Sequence, residues 1–300
     1  MSDSQLKDAP PASSRYVKWA WRKLLRRFVI VSIIAVALLY FFQDRVIYHP
    51  VRYPKGWQSM PTKDTASLSY AVTVGGKTWK NTSFYIPSRK AAARPMHLWV
   101  MFGGNASVAL SWMDLVKQAG LQDSSAAFLL IDYPGYGLNE GHPHPDSILS
   151  ATEAAYSALA AKLNTTTQTL DKDVSTLGHS LGCATSLQFA VRHPVRAVVL
   201  ASPFTSTFDM AKHRAGWPLC YLLRDRFDNQ ARLRELLGRP NPPAIVIIHG
   251  DSDGVIPVTM GRQLASLSKE IIYLELNGID HAHIPHEGKG GLLEAMQARP

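Results

Sequence analysis

The chain has 300 residues, 46% hydrophobic and 18% charged, a globular balance that excludes a disordered, collagenous or coiled-coil protein as its main class. Its two cysteines, Cys183 and Cys220, are too few for a disulfide scaffold or a paired-cysteine zinc site. Of the net charge of +9, residues 1–50 hold +5 (eight Lys/Arg, three Asp/Glu), which leaves the remainder close to balanced (24 basic, 20 acidic) and without the basic stripe a nucleic-acid partner needs.

Residues 1–23 read as a disordered basic tail, with six basic and no acidic side chains between 15 and 27. An uncharged run of fifteen residues, Phe28 to Phe42, follows. A helix rises about 1.5 Å per residue and a bilayer core is about 30 Å thick, so the run spans only with its flanks. Leu24 and Leu25 extend it, Arg26 and Arg27 can snorkel, and Trp19, Trp21, Tyr40 and Tyr48 suit the interfaces. Residues 24–43 are therefore expected to form a transmembrane signal anchor, with the N-terminus cytoplasmic by the positive-inside rule and the rest of the chain across the membrane, in the periplasm if the protein is bacterial. A cleaved signal peptide is the rival reading. Ala35-Val36-Ala37 has the small-x-small pattern, but Leu-Leu-Tyr-Phe-Phe follows where a cleavage region turns polar.

Residues 45–300 alternate strand and helix signals. Runs at 68–74 and 78–86, joined by Gly75-Gly76, predict a hairpin. Further strands are expected at 97–102, 126–131, 174–177, 195–200, 244–248 and 270–276, with helices at about 106–119, 146–163, 181–192, 257–268 and 287–298. This alternation predicts an α/β fold, a mostly parallel sheet flanked by helices, whose site lies past the carboxyl ends of its strands.

Three such ends carry chemistry. After 174–177 comes Gly178-His179-Ser180-Leu181-Gly182, a G-x-S-x-G turn that lifts a serine hydroxyl above the sheet at the start of a helix. After 244–248 come Asp251 and Asp253, either of which could orient a histidine. After 270–276 come His281, His283 and His286, candidates for a general base. The chain order Ser, Asp, His fits that elbow. His179 is expected to pack beside the elbow, and Cys183 to be a small buried residue.

With these motifs the chain resembles the α/β-hydrolase superfamily and, within it, the membrane-anchored serine hydrolases of the ABHD and Bem46 group, over residues 45–299. Val46-Ile47-Tyr48-His49-Pro50, Asp132-Tyr133-Pro134-Gly135-Tyr136-Gly137 and Ser202-Pro203-Phe204 are similar to that group's segments. The resemblance implies Ser180 as nucleophile, Asp253 rather than Asp251 as the acid, and His281 ahead of His283 and His286 as the base. It further implies oxyanion donors in the amides of Asn105 and Leu181, with Gly104 and Ala106 as alternatives for the first. Two departures stand out: Gly103 replaces the usual histidine, and Asn139 the usual serine. The implied activity is hydrolysis of carboxylic esters or thioesters, lipid acyl esters among them, with no metal or organic cofactor. A scaffold that has lost chemistry and a peptidase of the same fold are the alternatives. The insertion at 203–240 reads either as a small cap over the site or as ordinary core packing, and sequence does not fix the oligomeric state.

Overall fold

The computed structural model describes residues 12–90 and 95–297 and divides into two units, 1–47 and 48–300. The first is the helix α1 (Ala12–Ile47), broken at Phe42, where φ is −111° and ψ 16°. It covers residues 12–23 of the stretch expected as tail; residues 1–11 lie outside the described residues. Its Tyr16–Ile47 portion, 32 residues, is long and apolar enough to cross a membrane. Within it the Lys23 ammonium sits 3.7 Å from the Trp19 ring centre.

The second unit is built on one eight-stranded sheet in the order β1-β2-β4-β3-β5-β6-β7-β8. β1 (Ala66–Val74) and β2 (Lys77–Ile86) form the expected hairpin. Gly75 and Gly76 both have positive φ, as a two-residue turn that keeps the strand twist requires. Only every fourth residue of β1, Leu68 and Val72, is fully buried, as suits an edge strand with one face to solvent. β2 runs antiparallel to β4 (Ala126–Ile131). From there the sheet is parallel through β3 (His97–Phe102), β5 (Val174–His179), β6 (Ala197–Ala201), β7 (Ala244–Gly250) and β8 (Ile272–Leu276). β4, β5 and β6 are buried along their whole length; β4 and β6 accordingly read as continuous apolar runs rather than alternating ones, while β5 carries Ser175 and Thr176, the latter accepting the Ser186 hydroxyl at 2.8 Å.

Helices cover the sheet. α2 (Met113–Gln122) packs with α9 (Lys289–Gln297), and their apolar faces join the core with Phe84, Trp99, Met101, Phe128 and Ile248. α3 (Pro145–Lys162) packs with α5 (Leu181–Ala190), and α5 with α7 (Asn229–Leu237). The remaining helices are α4 (Thr167–Leu170), α6 (Thr207–Ala215) and α8 (Val258–Ala265). Local chemistry fixes several starts. Pro145 opens α3, and the Ser206 and Asp228 side chains accept the amides of Asp209 and Ala231 to cap α6 and α7. The helix expected from 106 begins later: Ala106 has φ 58°, which no helix continues through, and a 3-10 turn at Ala109–Trp112 precedes α2.

Candidate active site

Ser180 stands between β5 and α5 with φ 56° and ψ −117°. A non-glycine residue held there stores on the order of 1–3 kcal/mol, so the surroundings must impose it. They do so through close packing. A Cβ on Gly178 would strike the Gly182 carbonyl, and one on Gly182 the Phe102 carbonyl. The Ser180 amide donates to the Ala201 carbonyl at 2.8 Å, and its own carbonyl accepts from the Cys183 amide at 3.0 Å. Leu181 is the first residue of α5, so its amide has no acceptor within the helix. Cys183 is fully buried, its thiol 3.2 Å from the carbonyls of Gly178 and Ala201, and burial pushes that thiol well up. Both cysteines are free and buried.

Asp253, in the loop after β7, collects five donors. Oδ1 accepts the amides of Val255 (2.9 Å) and Ile256 (2.8 Å). Oδ2 accepts the Ser202 hydroxyl at 2.8 Å, His281 Nδ1 at 2.7 Å and, more weakly, His249 Nε2 at 3.3 Å. Burial alone would raise this carboxyl. Hydrogen bonds from His249 and His281, the His281 charge and the Ile256 amide outweigh it and hold the group far below the ordinary range. Ser202, wholly buried with φ 50°, belongs to the Ser202-Pro203-Phe204 segment of the resemblance but is given no role there; its left-handed backbone at the end of β6 and its bond to Asp253 are tertiary features.

His281 is turned toward the elbow. Its ring centre is 4.8 Å from that of His179, whose Nε2–H donates to the His281 carbonyl at 3.0 Å. His179 is buried, which with the neighbouring His281 charge lowers its pKa to about 3, so it stays neutral and acts as a rigid support for the loop that carries His281. The other candidates lie elsewhere. Asp251 is exposed and ties the β7 and β8 loops together by accepting the Gly278 amide at 2.7 Å. His283 is exposed and paired with Asp280 at 2.6 Å, and His286 is exposed on the same loop.

The loop after β3 closes the other side. A Cβ on Gly104 would lie 2.8 Å from His179 Nδ1 and 3.4 Å from the Ser180 Cβ, so the backbone abuts the elbow. The hydroxyls of Tyr133 and Ser107 donate to the carbonyls of Gly103 (2.7 Å) and Gly104 (2.8 Å). The Tyr136 hydroxyl donates to Asn105 Oδ1 at 2.6 Å. The two tyrosines of the Asp132–Gly137 motif thus brace this loop. Both departures from the resemblance find a physical reason. A side chain on Gly103 would collide with the Ser107 hydroxyl, 2.6 Å from its ideal Cβ, so that hydroxyl fills the space. Asn139, fully buried, accepts the Thr82 amide at 2.6 Å through its oxygen and donates to the Asp132 carbonyl at 2.7 Å through its nitrogen, so its carboxamide links β2 to the Asp132 backbone. Beneath, Asp132 accepts the Tyr53 hydroxyl (2.6 Å) and the Ala109 amide (2.7 Å), yet burial raises its carboxyl to about 6.

The 203–240 insertion follows β6 on this same end of the sheet. Phe204, Cys220 and Phe227 are buried, whereas α6 has no buried residue and Trp217 and Tyr221 are 78% and 62% exposed. The Arg214 guanidinium joins it to the acid loop through the Val255 carbonyl at 2.8 Å.

Residues 98–269 match the model of the alpha/beta hydrolase family. An uncharacterised protein of Mycobacterium tuberculosis is 28% identical over 261 residues, 84% of this chain and 86% of its own. Human alpha/beta hydrolase domain-containing protein 17B is 30% identical over 133 residues, 44% of this chain and 42% of its own. Among solved structures, an esterase of Pyrococcus furiosus superposes with a TM-score of 0.58 at 14% identity, covering 84% of this chain and 99% of that one. A Xanthomonas campestris serine hydrolase described as lacking a lid gives 0.53 at 14%, covering 79% and 95%. The matched segment spans more than half of the sequence and contains the elbow, the acid loop and the strands between them: the chain belongs to the alpha/beta hydrolase family.

Proposed function

We propose that the protein is a membrane-anchored serine hydrolase of carboxylic esters or thioesters, with Ser180, His281 and Asp253 as its triad. The observation that carries this reading is the His281 imidazole, held at Nδ1 by an ionised Asp253, with its ring 4.8 Å from that of His179, the residue next to the strained serine. Asp253 fixes the tautomer that leaves Nε2 as the base and stabilises the imidazolium. Nε2 removes the Ser180 proton as Oγ attacks the acyl carbon. The tetrahedral oxyanion is met by the amides of Leu181 and Asn105. His281 then protonates the departing alcohol or thiol. Water, deprotonated by the same imidazole, adds to the acyl-enzyme, and collapse frees the acid and returns the proton to Ser180.

In this reading α1 anchors the domain with its basic flank in the cytoplasm. The insertion, with Trp217 and Tyr221 outward among Lys212, Arg214, Arg224 and Arg226, suits a cap that meets lipid, which favours acyl lipids as substrates. A fluorophosphonate probe tests the chemistry: the full-length protein should label and Ser180→Ala should not. Unlabelled wild-type protein that also leaves an ester and lysolipid panel intact would overturn it. Turnover restricted to short soluble esters would remove the lipid part alone.

A further inference from the structure

We propose that His49 is a positioning residue for the oxyanion loop: the segment that leaves α1 grips Asn105 and sets the direction of its amide. This rests on the hydrolase reading above. The His49 amide donates to Asn105 Oδ1 at 2.8 Å, and Asn105 Nδ2 meets His49 Nδ1 at 3.0 Å, a two-point clasp across 56 residues of sequence.

The network fixes which end of the Asn105 side chain is which. Its oxygen receives the His49 amide, which can only donate, and the Tyr136 hydroxyl beside it. The nitrogen therefore faces His49 Nδ1 and has only hydrogens to offer, so Nδ1 is the acceptor and carries no proton. With Nδ2 tied to His49 Nδ1 and Oδ1 to both the His49 amide and the Tyr136 hydroxyl, the side chain cannot swing without losing a bond.

The backbone is held the same way. In a trans peptide the carbonyl and the following N–H point in opposite directions. The Gly104 carbonyl is occupied by the Ser107 hydroxyl, so the Asn105 N–H is turned the other way, and Gly104 itself packs on Ser180. The orientation of the proposed oxyanion donor thus depends on the carbonyl tether before it and the side-chain clasp after it. His49 supplies half of that clasp, and it lies two residues beyond Ile47, the end of α1. Its side chain is exposed, so its removal opens no core cavity.

The test uses full-length protein in detergent micelles with p-nitrophenyl butyrate. His49→Ala should lower kcat about tenfold with KM within about twofold, because the lost alignment acts on the tetrahedral state more than on bound ester. A boronic acid, which forms a tetrahedral adduct, should bind weaker by a similar factor. His49→Asn should restore kcat to within about threefold of wild type, since its Oδ1 can take the place of Nδ1 as acceptor. Should His49→Ala melt well below wild type, Tyr136→Phe removes a donor at the oxygen end of the same Asn105 side chain and must show the same split. Wild-type kcat in His49→Ala, or an Asn variant as slow as the Ala variant, would overturn the proposal while leaving a labelling Ser180 intact. Wild-type protein inert to both probe and ester would instead overturn the hydrolase reading and this inference with it.

Discussion

The fold contains two gatherings of serine, histidine and aspartate, at opposite ends of its strands. Past the carboxyl ends of β5, β7 and β8 stand Ser180, Asp253 and His281. Where β3 and β4 begin stand Ser125, Asp123 and His97. In the second, Asp123 Oδ2 (2.7 Å) and the Ser125 hydroxyl (3.2 Å) both meet His97 at Nδ1, and that hydroxyl donates to Asp123 Oδ1 at 2.5 Å. Its proton is given to the carboxylate, and no second ring nitrogen intervenes. In the first, the carboxylate holds Nδ1 and the serine sits on its own strained bend. The comparison teaches that residue type is not sufficient. The acid takes Nδ1 in both; what separates the proposed relay from the turn is whether the serine crowds onto that same nitrogen and whether the backbone lifts the hydroxyl free.

Substitutions at matching positions break the comparison most sharply. Ser180→Ala should abolish probe labelling and lower kcat by about 10⁴-fold or more, whereas Ser125→Ala should leave kcat within about twofold. Asp253→Asn should cost about 10³–10⁴-fold, by freeing the wrong tautomer, while Asp123→Asn is silent in kinetics. Ser202→Ala removes one donor to a buried carboxylate and should cost about tenfold in kcat with KM little changed. His97→Ala should lower unfolding stability by about 1 kcal/mol in chemical denaturation and leave kcat alone.

The smallest effect separates two further histidines by sign. His193 is burdened by burial but gains more from Glu153 (3.0 Å) and Asp171 (2.9 Å), so its pKa rises from 6.5. The stability it contributes is complete below about 6.5 and fades as pH rises through the folded value. For His179, lowered to about 3, stability is complete above 6.5 and declines as pH falls toward the folded value. Melting temperatures at pH 6 and pH 9 should show a decline in wild type that His193→Gln lacks. An identical decline in both would sink the assignment.

Much of this architecture was legible in the sequence. Most of the buried parallel strands, β3, β4, β6 and β7, are short apolar runs, and those runs alternate with helical signals, so the sheet was readable. The elbow was readable because Gly178 and Gly182 flank the serine in sequence, although only Gly178 is required by a local contact and Gly182 answers to the distant Phe102 carbonyl. The proposed acid and base were not separable from their neighbours by residue type: Asp251 and Asp253, or His281 and His283, differ only in where the loop aims them, and resemblance made the choice. Ser202, His49 and the two motif tyrosines gave no signal as supports, because their partners are from 30 to 56 residues away. The insertion divided for the same reason: Phe204 and Trp217 are equally apolar, but only the fold decides that one is buried and the other exposed.

The positive φ at Ser180 limits which atoms evolution or an engineer could place there. A branch at Cβ is poorly tolerated in that region, so threonine, with the same hydroxyl, would strain the bend or drag it out of shape. Cysteine, unbranched, fits the backbone as it is. The bend therefore favours exchange of oxygen for sulfur over the addition of a methyl group, an order of tolerance set by geometry before any chemistry takes place.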